Sequence, residues 1–420
     1  MADRDHDGRD SSSDTFDDGL HHHSTSSPPS RLTRFARPLI DYVRNVEWQP
    51  GAKYTHLPST SDRSESPKKW VQMGVSIVTA PRFRRYVVVY LGLVVSCWLG
   101  WHYYLHPHLV ESSILLQSLD PKQKGRVGGW FGANAVPQLE DVIQLKELDK
   151  ALLPATLTPE EGEENRRRLV VVGDVHGCRT ECTVSPSHSV ERLLDKVSFN
   201  VDNDHLIFTG DLIEKGPDSL GVVDLAREYN ASCVRGNHED KVLVLRDELL
   251  ASSLSEDDLN QYRPLDAESR KLARELSDDQ AKWLAECPVI LNVGPVANMG
   301  QVVVVHGGLV PGVDLERQDP YSVMNMHSID LKTHVPSSSR DWGTKWTKLF
   351  NKHQSITLAS KTGVMTAIYG HDAKSGLSIK EYTKGLDSGC VKGGKLTALV
   401  ISDGGNQQTV QVGCSNYMEE

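Results

Sequence analysis

The stretch LVVVGDVHG, residues 169–177, decides how the C-terminal half of this 420-residue chain is read. Four apolar residues between Arg168 and Gly173 have the length and β-branched content of a buried strand. The glycine-flanked Asp174-Val175-His176 that follows reads as a tight loop at the strand's end. The same pattern returns downstream. Residues 204–209 run into Gly210-Asp211, residues 231–234 into Gly236-Asn237-His238-Glu239, residues 301–305 into His306-Gly307-Gly308, and residues 366–369 into Gly370-His371-Asp372. Aspartate, histidine and asparagine are suitable ligands for divalent transition metals. Such side chains repeated at strand ends predict a hydrolytic metal site along one sheet edge.

Helical patterns fill the intervals at 190–197, 220–229 and 238–249. Another helix starts at Ser277, with Gln280 in the capping-box position, and ends before Pro288. After His371 the pattern turns to short β segments at 377–382, 395–401 and 409–412. Strand–helix alternation with a β-rich end predicts an α/β domain over residues 166–415, two packed mixed β-sheets flanked by helices.

The N-terminal part differs. Residues 1–80 are rich in Ser, Asp, Pro and Arg with few apolar clusters, which predicts a disordered head, and the His21–His23 run reads as part of that polar tract. Residues 86–105, YVVVYLGLVVSCWLGWHYYL, hold no Asp, Glu, Lys or Arg and are long enough to cross a bilayer as a helix. Trp98, Trp101, Tyr103 and Tyr104 gather toward the C-terminal end, where aromatic rings favour the lipid–water interface. Arg82, Arg84 and Arg85 precede the span, and the next Lys or Arg after it is Lys122. The positive-inside bias predicts a single-pass type II membrane protein, with the N-terminus cytosolic and the catalytic domain luminal. Residues 106–165 read as a stalk with a short helix at 139–153. Six of the seven cysteines follow the span, so disulfides are permitted. A Cys178–Cys182 pair and buried thiols stand as alternatives. Asn230-Ala231-Ser232 is a glycosylation sequon whose place before a strand suggests burial.

The chain carries a formal net charge of −10, yet residues 331–400 hold eleven Lys or Arg against four acids. This local excess brackets His371. It is either a surface that captures a polyanion or a solvated face offset by acids elsewhere. No nucleic-acid-specific surface is expected.

In this order the five segments resemble the metallophosphoesterase (calcineurin-like) superfamily. The likeness is to its phosphoprotein-phosphatase branch, and within it to the group similar to bacterial diadenosine tetraphosphatase. GDLIEKGPDS (210–219) and LDSGCVKGGKLTAL (386–399) carry that narrower likeness, which covers roughly residues 168–402. The resemblance implies that Asp211 bridges two metals. Asp174 and His176 would complete one metal site, and Asn237, His306 and His371 the other. A two-metal-activated hydroxide would attack phosphorus. His238 would protonate the leaving oxygen, oriented by Glu214 where relatives carry aspartate. Lys215 stands where protein-directed relatives carry arginine, a compact charge in place of a planar bidentate grip. Arg340 is a candidate for the second phosphate arginine by position. Arg179 would reach a substrate phosphate or be a solvated loop charge. Residues 182–190 depart from the pattern, either as a surface loop or through a gene-model error.

The whole architecture is similar to that of fungal vacuolar zinc-dependent endopolyphosphatases. That implies a vacuolar lumen, zinc (with manganese, cobalt or iron as alternatives) and cleavage of phosphoanhydride bonds inside polyphosphate. Two other hydrolases fit the same residues: a dinucleoside polyphosphate hydrolase, for which Trp342 and Trp346 are candidates to stack a base, and a Ser/Thr protein phosphatase. A membrane-anchored binding protein with a decayed site is the non-enzymatic alternative.

Overall fold

The computed structural model describes residues 67–120, 142–155, 167–178, 189–251, 267–359 and 363–418. The chain divides into two compact units, residues 1–91 and 92–420. Most of the head, the segment 179–188 with Arg179 and Cys182, and the first residues of the helix expected at 139–153 lie outside the described residues. In the first unit are α1 (Pro67–Thr79) and the start of α2 (Pro81–Leu99).

α2 continues through a π-helical turn, Gly100–Leu105, into α3 (His106–Ser118). The whole forms a helix of 38 residues whose most apolar stretch has a mean hydropathy of 1.4 and no buried residue. The π turn has a local cause. Pro107 lacks an N–H and its ring crowds the preceding turn, and a widened turn accommodates both. Residues 106–118, the start of the expected stalk, are helical. The end of α3 packs: Leu115 and Ser118 are buried, and Ser118 Oγ lies 2.6 Å from His334 Nε2.

Among the described residues the second unit holds fourteen strands. They are β1 (Leu145–Glu147), β2 (Arg168–Val172), β3 (Asp204–Phe208), β4 (Ser232–Cys233), β5 (Ile290–Val296), β6 (Gly300–Val305), β7 (Ser328–Ile329), β8 (Pro336–Ser337), β9 (Thr344–Lys345), β10 (Met365–Tyr369), β11 (Ser378–Ile379), β12 (Thr383–Gly385), β13 (Lys395–Ser402) and β14 (Asn406–Gly413). The helices are α4 (Ser189–Lys196), α5 (Ser219–Glu228), α6 (Asn237–Ala251), α7 (Ala267–Glu275), α8 (Asp278–Ala285), α9 (Pro320–Asn325) and α10 (Trp346–Ala359). One sheet has the order β14-β13-β2-β3-β4, a second β1-β5-β6-β10-β12-β11, and a small third one β8-β7-β9.

Alternation along the strands builds the layers. Val170, Val172, Leu206 and Phe208 join a core with α4, α5, α6 and α8. Their neighbours Leu169, Val171 and Ile207 join a different core with Val302, Val304 and Ile368 of the second sheet. Val303, Val305 and Ala367 face a third core containing Trp346, Leu349 and Phe350 of α10. Strands buried on both faces need apolar side chains at every position, which is why these runs do not alternate with polar residues. The domain is thus a sandwich of two mixed sheets with helices outside, as expected, with the three-stranded sheet added.

Residues expected in the stalk also belong to this unit. β1 pairs in parallel with β5, Leu145 opposite Ile290, and a short 3-10 turn at Lys150–Leu152 follows where a helix was expected. The segment 377–382 gives only the two-residue β11. Two disulfides, Cys233–Cys287 and Cys390–Cys414, take four of the cysteines. Cys178 is buried. Asn230 is exposed just past α5, correcting the expectation that the sequon is buried.

Candidate metal centre

β2, β3 and β4 run parallel in one sheet, and β6 and β10 run parallel in the other. Register brings their ends level: Val172 lies opposite Phe208, and Val305 opposite Tyr369. The loops leaving these strands converge. Thr209 N donates to Val172 O at 3.0 Å, and Gly370 N donates to His306 O at 3.0 Å. Asp174, His176, Asp211, Asn237, His306 and His371 are thereby collected at one sheet edge.

Asp211 stands in the middle and is almost fully buried. Its Oδ1 lies 3.2 Å from His306 Nε2, and its Oδ2 lies 3.5 Å from His176 Nε2 and 3.8 Å from His238 Nε2. Two donor groups able to hold a metal ion share this carboxylate: His176, Asp211 and His238, and Asp211, His306 and His371, each with donor atoms within 4.8 Å of one another. Asn237 Oδ1 joins the second at 3.0 Å from His306 Nε2.

Backbone carbonyls orient the imidazoles. His306 Nδ1 donates to Thr209 O at 2.8 Å and His176 Nδ1 to Ile213 O at 3.2 Å, which leaves each Nε2 facing Asp211. His371 Nε2 donates to Asn325 O at 3.2 Å, which leaves its Nδ1. Burial pushes His176 and His371 down to about 3, so both are neutral ligand-competent rings at neutral pH. Burial also works against a charged His306, but Asp211 and Asp174 beside it win and raise it to about 10. Burial would raise Asp211, yet His306 and His238 hold it well below the usual carboxylate range.

Asp174 belongs to the same cluster, within the field of His306 and Asp211. It is buried, accepts from His371 N at 2.9 Å and from Thr209 Oγ1 at 3.3 Å, and lies outside both three-residue donor groups. Asp387 hydrogen bonds to it. Burial, then the neighbouring charges of Asp387 and Asp211, lift the Asp174 carboxyl well above its ordinary range. Buried carboxylates together with the neutral imidazoles of His176 and His371 form a donor set suited to divalent cations.

Lys215 Nζ lies 3.1 Å from His176 Nε2 and 2.7 Å from His238 Nε2. The two nitrogens thus converge on a single cation, which is the behaviour a metal site needs. His238 Nδ1 donates to Glu214 Oε2, and Ser269 Oγ donates to the other oxygen of Glu214. Burial of Glu214 is outweighed by these bonds, and its carboxyl sits below the usual range. Beside this pair opens a cavity of about 570 Å³, lined in part by Lys215, His238, Lys241 and Lys271.

The backbone here is unusual. Among the described residues nine non-glycine residues have positive φ, and His176, Asp211, Glu214, Lys215 and His371 are five of them. Left-handed backbone at such residues costs free energy and is concentrated at functional sites. Close approach also dictates glycine: a side-chain carbon at Gly210, whose φ is +90°, would lie 2.8 Å from His306 Nδ1, and one at Gly370 would meet the Asp174 carboxylate.

Three participants went unread in the sequence. Glu239, the last residue of a quoted motif, is fully buried and accepts from the amides of Asp211 (2.8 Å), Leu212 (2.8 Å), Ile213 (3.2 Å) and Gly236 (2.9 Å), tying two donor loops together. His327 stacks on His371 with ring centroids 4.3 Å apart. Ser269 on α7 sits far from any motif. Arg340 is at the site's rim, paired with Asp372, which Lys345 Nζ also approaches at 2.6 Å. Of the two tryptophans considered for stacking, Trp346 is buried against Phe350 and Tyr369, while Trp342 is exposed.

The profile of the calcineurin-like phosphoesterase family matches residues 167–393. A zinc-dependent endopolyphosphatase of Saccharomyces cerevisiae is 30% identical over 278 residues, which is 60% of this chain and 82% of that protein. A symmetrical bis(5'-nucleosyl)-tetraphosphatase of Nitrosospira multiformis is 26% identical over 279 residues, 56% of this chain and 93% of that protein. Serine/threonine-protein phosphatase 1 of Salmonella typhimurium is 41% identical over 83 residues, 20% of this chain and 35% of that protein.

Proposed function

The chain belongs to the calcineurin-like phosphoesterase family, and from that premise we propose that it hydrolyses phosphoanhydride bonds inside inorganic polyphosphate. The observation that carries the substrate is the likeness to the yeast endopolyphosphatase, which spans 82% of that protein. The cations at the rim beside His371 support the same choice.

In this reading Asp211 would be the shared ligand, Asp174 and His176 would serve one metal, and Asn237, His306 and His371 the other. Two divalent cations held there, zinc first and manganese, cobalt or iron after it, would supply Lewis-acid charge and lower the pKa of a water toward neutrality. The protein's own groups do the rest. Lys215 and Arg340 neutralise substrate phosphate. His238 in its doubly protonated form would give its Nε2 proton to the leaving phosphate oxygen, with Glu214 accepting from its Nδ1–H. The cavity beside His238 leaves room for the departing chain.

A type II anchor completes the proposal, with the catalytic unit in the vacuole lumen. An exposed apolar helix, Arg82, Arg84 and Arg85 before it, and two disulfides, which persist in oxidising compartments, support it. A dinucleoside polyphosphate needs the same bond cleavage plus stacking surfaces. The likeness to the tetraphosphatase and the exposed Trp342 favour that as a second reading.

The test offers the full-length protein long-chain polyphosphate, diadenosine tetraphosphate and a phosphopeptide, each under zinc, manganese and magnesium. Shortening of polyphosphate into mid-length fragments supports the proposal. Release of terminal phosphate alone counts against an internal cut. Selective turnover of the dinucleotide or the phosphopeptide overturns it.

A further inference from the structure

The basic excess of residues 331–400 separates in space. Lys384 is buried and donates to the Lys380 carbonyl at 2.6 Å, so it adds nothing to a ligand surface. Lys352 Nζ is held by Ser112 Oγ at 3.0 Å. Lys345, Lys380 and Lys348 instead gather in one direction from the metal centre. Lys345 Nζ bridges Asp372, the residue after His371, and Ser375 Oγ at 2.7 Å. Lys380 Nζ donates to Thr347 Oγ1 at 3.2 Å, on the first turn of α10 between Lys345 and Lys348 in sequence. Lys348 Nζ pairs with Glu111 of α3. Burial, then the charges of Lys345 and Lys348, push Lys380 below the usual lysine range, so the three ammonium groups sit within each other's field.

Arg340, Lys345, Lys348 and Lys380 face Asp372 and Glu111, four positive groups against two negative. Clustering like charges with one of them partly desolvated is unfavourable unless an anion compensates. A compact phosphomonoester at the metal centre engages the groups around Asp211 and stops there. A linear chain carrying a charge on every phosphate, if laid past Asp372, would come within reach of the lysines.

We propose that Lys345, Lys380 and Lys348 form a cationic strip that binds the length of a linear polyphosphate chain flanking the bond that is cut. The strip rests on the polyphosphate reading above and specifies how an internal bond is chosen: chain is held beyond the scissile linkage on the side of Asp372, so the bond cut is not the terminal one on that side. Glu111 competes with the chain for Lys348.

The test uses full-length protein in detergent and compares Lys348→Gln/Lys380→Gln with the parent on long-chain polyphosphate and on tripolyphosphate. The expected result is a KM for the long chain raised roughly three- to tenfold at low salt, a larger rise than for tripolyphosphate. The difference should vanish at high salt, where exposed charges are screened. Glu111→Gln is expected to lower the long-chain KM. Equal rises for both substrates, or no rise, overturn the strip. A parent enzyme that leaves long-chain polyphosphate intact removes the substrate reading and the strip together. A parent that cuts it while the double variant matches it removes the strip alone.

Discussion

Replacing Glu239 by glutamine changes one atom, and the structure says how much follows. Oε1 accepts from Leu212 N and Ile213 N, and Oε2 accepts from Asp211 N and Gly236 N. An acceptor to four N–H groups has to be an ionised carboxylate. Burial and then the charge of Asp211 raise the carboxyl above its ordinary range, while the amide bonds pull the other way. Glutamine turns one of the two oxygens into a donor, so two amides lose their acceptor and face another N–H. Hydrogen bonds to a charged group contribute about 1.5–3 kcal/mol each, so the two losses come to about 3–6 kcal/mol before the loops relax. Relaxation moves the backbone of Asp211 and Asn237, and mispositioned ligands typically weaken metal binding by about 10–100-fold. The assay is zinc affinity by titration on purified full-length Glu239→Gln, with thermal melting alongside. Expected are a zinc affinity at least about tenfold weaker and a clearly lower melting temperature. Zinc affinity and melting temperature equal to the parent's would refute the reasoning, because they would mean that Glu239 is held protonated and glutamine is its isostere.

The other expectations follow from single contacts. His238→Ala should lower turnover by roughly 10²–10⁴-fold while metal content by mass spectrometry stays near that of the parent, whereas Asp211→Asn should lose metal and activity together. Breaking the Cys233–Cys287 bridge with Cys233→Ser opens a loop with a sequence separation of 54 residues. Loop entropy then predicts a loss of about 4 kcal/mol, read by urea unfolding; an unchanged midpoint counts against a formed bridge. His205 is pushed down to about 4 by burial, with Nε2 2.8 Å from Ser232 Oγ. The unfolded chain therefore takes up this proton near the ordinary histidine value and the folded chain only near 4. Stability is intact above the former and falls as pH drops toward the latter, by about 2–3 kcal/mol. His205→Asn should flatten that part of the melting-temperature profile between pH 7 and 4.5, and an unaltered slope would show that another group is responsible.

How far the fold could be read depended on whether a residue's reason lay nearby in sequence. β2, β3, β6 and β10 are apolar at nearly every position because both faces are covered, and such runs announce themselves. The Ser277 capping box forms as its spacing predicts, with both reciprocal bonds present. β5 was missed because Gly294 and Pro295 interrupt it; the ladder with β6 absorbs them by a register shift between Asn292 and Gly294. β1 is three residues long and exists only because β5 offers an edge. The strand-end side chains were legible as a set, since each follows an apolar run. Glu239 was in plain view, but its purpose depends on amides at 210–213 and 236 reached through the fold. His327 and Ser269 have no sequence signature: one is placed by ring stacking on His371, the other by a helix that happens to pass Glu214.

The left-handed residues around Asp211 carry a consequence for anyone who tries to toughen this enzyme. Glycine at Glu214 or Lys215 would relieve torsional cost, as it would at His176, Asp211 and His371, and each exchange would delete a group that the proposed chemistry uses. A library screened by heat resistance alone would therefore enrich sturdy, inert clones at these five codons, so selection must score turnover in the same round.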